Sequence, residues 1–570
     1  MNDPTYIIKH MGRLVHDEKG IGRFAGSTTG VHFVLTVEQE CQTSLAMPGQ
    51  FPASCFRLFL AQPSLLQINP PSMTSSTILK NIRDYFSSPS AYYVHRIEMF
   101  IRNWDAFCPI LVRDQLIADT NRRLNLNKQD NAGDMDYSNV LILLMIIAIL
   151  KSSADTAKCD QVPPYELMLA NQILDKVMMQ RDIRSLQALV LFALYNQLNS
   201  HCLAMTTLNG YLVSLAQSLG LHRHARRFKI PAGEVELRKR LWWWVYSFDR
   251  VASVFHGLPT LIDDADVDND MPMDCYLHGS EAPELSHPLP GERTAVFFFI
   301  QYVSLCRKLS RILDALYTTT RRRDGATKIA DLDLELRMWN QNLKTDGIYF
   351  DIGSISGLPS AESQHGVDNI RTWLQLMANY AMVLIHRPGL SFDDTTSDFA
   401  KCLRICLDSS QAILTILSHS PIPFWLRGIS LMGPGTVFQS ALMYAYCQGK
   451  FLSSRPEQIP SLETSMTMIS KGIFILESDL HLHPSAGTEF YHESISEVIA
   501  TLQTLRSSLA QVAKAAADAT NIMQGHGDSN IFQDEMWVSN ALDDLNYMSA
   551  TDWMGEMSGP FMGFMGMGGS

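Results

Sequence analysis

Along most of the chain, apolar residues recur at three- and four-residue intervals, the spacing that gathers them on one face of an α-helix. Val94, Ile97, Ile101 and Trp104 form one such stripe, interrupted by Pro109. Leu208, Leu212, Leu215, Ala216 and Leu219 form another, which stops at Gly220. A glycine there takes the left-handed C′ conformation at little cost and lets Leu221 pack back on the last turn. Ile370, Trp373, Leu374, Met377, Ala381, Leu384 and Ile385 form a third, ending near Pro388. The densest stripe is Leu237, Leu241, Trp244, Val245, Phe248, Ala252 and Phe255, closed by Gly257 and Pro259. Alternation of the strand type is rare, and only the short run Val31 to Val37 reads as β. The predicted class is therefore all-α.

Breaks in this pattern divide the chain. Residues 1–76 form an irregular leader and linker, with Pro and Ser gathered around Pro70 to Ser76. Residues 77–514 carry the helical stripes, with loops expected over Asp263 to Gly291 and Asp351 to Gly366. From residue 515 to 570 a disordered tail is expected: acids and aromatics first, then Met and Gly from Met554 onward. No Lys or Arg follows Lys514. No internal repeat is evident.

Composition narrows the function classes. With 46% hydrophobic and 18% charged residues, most of the chain can bury enough apolar surface to fold. The formal net charge of -12 opposes a broad phosphate-binding surface. The N-terminus has no apolar core of a secretory signal, so an intracellular protein is expected. The most apolar run, Val140 to Leu150, falls short of the roughly 20 residues that cross a bilayer, so it predicts a core helix and no membrane partner. Ten scattered cysteines, none closer together than Cys402 and Cys406, point to buried thiols and fit no tetrahedral zinc knuckle.

The segment Glu236 to Arg250 places Arg238, Lys239 and Arg240 before Leu241, Trp242, Trp243 and Trp244, then Asp249 and Arg250; Gly257, Pro259 and an acidic run to Asp268 follow. On residue pattern alone the tryptophans predict core, Asp249 and Arg250 a partly buried pair that fixes the next loop, and the basic run a solvated helix face. This order resembles the middle homology region of fungal zinc-cluster transcription factors. Gly220, His222 and Arg223 upstream, and His386, Arg387 and Pro388 downstream, fall in the same family order, as do Cys402 and the leader Gly26-Ser-Thr-Thr-Gly30. The resemblance covers roughly residues 10 to 450. Departures are the third tryptophan, Trp244, and Thr260 after Pro259. It implies a non-enzymatic nuclear regulator of a metabolic gene set, with a secondary-metabolite cluster as a candidate. The expected partners are other regulators or coactivators, and an effector ligand is left open. The six-cysteine zinc cluster that the family uses to read DNA does not occur in these residues, so direct sequence-specific DNA binding, cofactors and bound metals are not expected.

Rival chemistries fit less well. The run Asp263 to Asp268 would make a terpene-cyclase-like, metal-dependent helical enzyme the alternative, but Val267 stands where a carboxylate is needed. A calcium loop from Asp264 would need Gly at Asn269 and Glu at Cys275. His481, His483 and His492 read as ordinary surface histidines, and Gly20, Gly22 and Gly26 as a turn-rich leader. A further alternative is that the chain is a piece of a longer DNA-binding activator. Arg321 to Arg323 read as a cationic helix end. In the tail, Trp537, Leu542, Leu545, Tyr547, Trp553 and Phe561 lie among acidic residues, the composition of an activation segment.

Overall fold

The stripe ending at Leu219 is a helix, Cys202–Ser218, and it stops as a glycine C-cap should: Gly220 has φ 69°, and the Leu221 amide donates back to the Ala216 carbonyl at 3.0 Å. The computed structural model describes residues 13–16, 20, 22–44, 51–57, 75–126, 135–152, 165–198, 202–225, 229–318, 323–346, 352–353, 366–418, 433–451, 460–482 and 489–524. Over these the helices are α1 (Val31–Ser44), α2 (Ala53–Arg57), α3 (Ser75–Tyr85), α4 (Ser90–Trp104), α5 (Arg113–Leu126), α6 (Tyr137–Ser152), α7 (Tyr165–Gln180), α8 (Ile183–Leu198), α9 (Cys202–Ser218) and α10 (Ala232–His256). They continue as α11 (Val296–Leu316), α12 (Gly325–Asn342), α13 (Gly366–His386), α14 (Ser397–Ser418), α15 (Pro434–Phe451), α16 (Leu462–Leu482) and α17 (Glu489–Gln524). Among the described residues, strands occur only as two short antiparallel hairpins, β1 (Arg13–His16) with β2 (Gly22–Ala25), and β3 (Tyr276–His278) with β4 (Glu284–Ser286). The fold is all-helical.

Packing largely follows chain order. Helix α6 lies on α7 and α8, α8 on α9, α9 on α10, α10 on α11, and α11 on α12 and α13; α13 then meets α14, α14 meets α15 and α16, and α16 meets α17. Helix α6 is buried from Val140 to Leu150 on every side, and no helix among the described residues is long and apolar enough to cross a membrane. The N-terminal segment breaks the sequential order: a 3-10 turn at Ser27–Thr29 sits on α10, α1 lies on α15, and α2 on α17. One hydrophobic cluster runs from Val15 to Leu509.

The structure corrects the reading of Val31 to Val37 as a strand. These residues open helix α1. The valines that favour a strand also stand at helical spacing, and Val31, Val34, Val37 and Cys41 are buried along one face. Packing on α15, with Phe33 edge-to-face on Tyr446 at 5.7 Å between ring centres, outweighs the weak β preference. Helix α17 runs past the boundary expected at residue 514, to Gln524. Arg321, Arg322, His483 and the six tail residues Trp537, Leu542, Leu545, Tyr547, Trp553 and Phe561 lie outside the described residues.

Candidate functional site

Helix α10 carries the basic run, the tryptophans and the Asp-Arg pair, and it is enclosed on nearly all sides. The solvated face expected for Arg238 to Arg240 is not there. Arg240 is 2% exposed; its Nε pairs with Glu236 at 3.1 Å, and its Nη2 donates to the Cys275 carbonyl at 2.7 Å. Glu236 also accepts the Met273 amide at 3.0 Å. Burial raises its pKa, with Arg240 opposing. Arg238 donates to the Leu219 carbonyl at 2.8 Å, and Lys239 lies 3.7 Å from Asp270. The physical reason is that the loop after α10 folds back over this face, so the cations satisfy its carbonyls and carboxylates rather than water. A second expectation is sharpened: Asp249 and Arg250 are not partly but fully buried.

Asp249 organises the turn that follows the helix. Its carboxylate accepts the Asn209 side-chain amide at 2.8 Å, the backbone amides of Leu261 and Ile262 at 3.1 and 3.2 Å, and Arg250 Nη1 at 2.5 Å. Arg250 in turn donates to the Ile262 carbonyl at 2.9 Å and to Asp264 at 3.1 Å, and lies 4.2 Å over the Tyr246 ring. Ser310 of α11 donates to Asp264 at 2.6 Å. Burial resists the Asp264 charge, but the Ser310 hydrogen bond and Arg250 outweigh it and hold the carboxyl below its usual range.

The Gly220 to Arg223 segment is stitched to the same acidic loop. Asp268 donates its amide to the His222 carbonyl at 3.2 Å and accepts the His224 amide at 2.8 Å. Asn269 donates to the Leu221 carbonyl at 2.8 Å. The Trp243 indole N–H donates to the Asp270 carbonyl at 2.7 Å, Trp242 lies beside the His222 ring, and Trp244 stacks on Phe248 at 5.2 Å. Leu241 is buried with them.

The third part of the motif meets the leader. Gly257 caps α10 with φ 65° and touches Gly26 so closely that a Cβ on Gly26 would fall 1.8 Å from the Gly257 carbonyl oxygen. Thr28 Oγ1 donates to the Val254 carbonyl at 2.9 Å, while Ser253 Oγ reaches toward the Pro259 carbonyl at 3.4 Å. Arg387 Nη2 donates to the Thr28 and Ser27 carbonyls at 2.8 and 3.1 Å, and its Nη1 donates to Gln439 of α15 at 2.6 Å. Gln439 passes the connection on to the Thr29 carbonyl at 2.6 Å. Pro388 turns the end of α13 into a 3-10 turn, Arg387–Ser391. His386, wholly buried, lies 3.9 Å from Asp333; burial lowers its pKa and Asp333 opposes.

The structure thus joins Arg387, Gly257 and Pro259 near the leader, and Arg240, Trp243, Asp249 and Arg250 near the acidic loop. His386 faces α12 instead. Sequence reasoning missed Asn209 and Gln439, polar residues whose partners lie far along the chain, and gave Thr28 and Glu236 no role beyond their place in the motif segments. The chemistry is that of a scaffold. No group of three or more His, Cys, Asp or Glu among the described residues is placed to hold a metal ion. The thiols of Cys41, Cys306 and Cys402 are each pushed up to about 12 by burial, far from a reactive thiolate.

Residues 97–341 match the family described as fungal specific transcription factor domain. The chain is 22% identical over 425 residues to the transcriptional activator protein acu-15 of Neurospora crassa, a match covering 73% of this chain and 42% of that protein. It is 24% identical over 499 residues to the probable transcription factor FUP6 of Fusarium proliferatum, covering 73% and 68% respectively. Over 324 residues it is 22% identical to the thiamine repressible genes regulatory protein thi1 of Schizosaccharomyces pombe, covering 54% and 39%. The chain spans less than half the length of the Neurospora and Schizosaccharomyces proteins. The matched family and these relatives are transcription factors and regulators, not enzymes.

Proposed function

We propose that the chain, whose residues 97–341 match the fungal specific transcription factor domain, regulates a metabolic gene set in the nucleus through protein partners. A secondary-metabolite cluster is the gene set we favour. The observation that carries this reading is the coincidence of the family match with a motif helix whose charges all serve packing. Arg238, Lys239 and Arg240 are occupied by carbonyls and carboxylates of their own fold, which leaves that run unavailable to DNA phosphates. The overall charge of -12 supports the same conclusion.

In this proposal the helical body is the regulatory platform, and the segment beyond Gln524 contacts the partner. The sequence there sets Trp537, Leu542, Leu545, Tyr547, Trp553 and Phe561 among acidic residues, a composition suited to an apolar groove of a coactivator. The test is a reporter driven by the full chain fused to an unrelated DNA-binding domain. Output is expected from the fusion and a large loss when Trp537, Leu545 and Trp553 are all changed to Ala. No output from a fusion that accumulates in the nucleus contradicts the proposal. In gel-shift titration, discrimination of about 10³-fold or more over random DNA would show that the chain reads DNA by itself.

A further inference from the structure

The outer face of the β1–β2 hairpin is apolar where a face turned to water is ordinarily polar. Leu14 and Phe24 stand directly opposite each other across the two strands, 62% and 49% exposed, while Val15 and Ala25 are buried in the core on the inner face. Phe24 is two residues from Gly26, which meets the Gly257 cap of α10. Leu258 and Leu261, in the turn that follows this cap, are 40% and 52% exposed. The four side chains therefore gather around the contact of the leader with α10. Two exposed acids, Asp263 and Asp266, border them next to Leu261, and neither forms an ion pair with Lys or Arg among the described residues.

A patch of this kind invites a cover, and its size limits what the cover can be. The four side chains offer on the order of a few hundred Å² of apolar surface, well short of the roughly 800 Å² that each partner of a stable complex buries. A second copy of the chain would thus gain too little from it, whereas a short segment fits. Residues 1–12 lie outside the described residues and lead into β1 next to Leu14. They carry Tyr6, Ile7, Ile8 and Met11 for the apolar patch and Lys9 for the two acids. Gly12, at the junction, has the conformational freedom for a chain reversal. Six extended residues reach about 20 Å. A segment tethered so closely acts at an effective concentration in the millimolar range, so even a weak contact is populated.

We propose that Tyr6 to Met11 fold back at Gly12 and cover the apolar patch of Leu14, Phe24, Leu258 and Leu261, with Lys9 facing Asp263 and Asp266. The segment then clasps the hairpin to the α10 cap from outside, while Thr28 and Arg387 hold the leader from within.

The test is amide exchange of the full chain at residues 13–16 and 22–25, with binding of a hydrophobic dye as a second readout. Relative to the parent, Ile7→Ser with Ile8→Ser is expected to quicken exchange there about threefold or more and to raise dye binding. Lys9→Glu should act in the same direction, with an effect that shrinks as salt is added. A chain lacking residues 2–11 should recover its protection when a synthetic peptide of residues 1–12 is added, and not with a scrambled peptide. Parent and double variant that exchange and bind dye alike would overturn the proposal. So would protection that survives both serines and grows with protein concentration, which would assign the patch to a second copy.

Discussion

Helices α6 and α10 are both enclosed by other parts of the chain, yet they are built on different physics. Across Val140 to Leu150, α6 buries an unbroken apolar run whose surroundings need only fill space. Helix α10 buries Glu236, Arg240, Asp249 and Arg250 together with its tryptophans, and each charge selects particular partners. Apolar burial is tolerant of detail, whereas a buried charge penalises any arrangement that leaves it unpaired. The family motif lies on the second kind of helix. Its charged residues fix the course of the loop from Pro259 to Cys275, which α6 could not do for any loop.

That contrast is open to measurement. The largest effect is expected from Asp249→Ala, which strands Arg250 and releases the Leu261 and Ile262 amides. Denaturant unfolding should register a loss of about 3 to 5 kcal/mol, and amide exchange should quicken at Leu261 and Ile262. A loss under 1 kcal/mol with unchanged exchange would erase the distinction between the helices.

Next comes acid. Burial pushes His256, the last residue of α10, down to about 4, so it is neutral in the folded protein. The unfolded chain takes up this proton below about pH 6.5. The folded chain does so only near pH 4, so this contribution to stability is complete above the upper value and is lost as the pH falls between them. The loss is on the order of 3 kcal/mol, and His256→Phe should remove it from the pH profile. The interior of α6 has no titratable group from Val140 to Leu150 to contribute in this window.

Gly26→Ala tests the contact of the leader with the α10 cap. The new methyl would meet the Gly257 carbonyl, and overpacking of this kind costs about 1 to 3 kcal/mol. Thermal melting with parent-like stability would mean that the leader can move off the cap freely. The smallest effect is expected in α6 itself: Ile146→Val should cost about 0.5 to 1.5 kcal/mol without a local change in amide exchange.

The same contrast explains what could be read from sequence. Helices α6 and α9 and the C-terminal stop at Gly220 follow from local apolar spacing and one glycine, so they were legible. The burial of Arg240 was not, because the stripe from Leu237 to Phe255 defines one covered face and gives no sign that the loop near Cys275 covers the other. Val31 to Val37 misled because its β-branched residues fit a strand locally, and the helix depends on α15, some 400 residues later. The motif residues, Thr28 of the leader among them, were identified by resemblance, but Gln439, which joins the leader to Arg387, carries no local signal at all.

The central claim is that the motif helix is scaffold, and unfolding of Trp243→Ala tests it most directly. Trp243 is 4% exposed, and its indole N–H holds the Asp270 carbonyl. The account predicts a loss of about 3 to 5 kcal/mol, with reporter output falling only as far as the folded fraction falls. A variant that unfolds like the parent yet loses its output would contradict it, and would make Trp243 part of a contact surface.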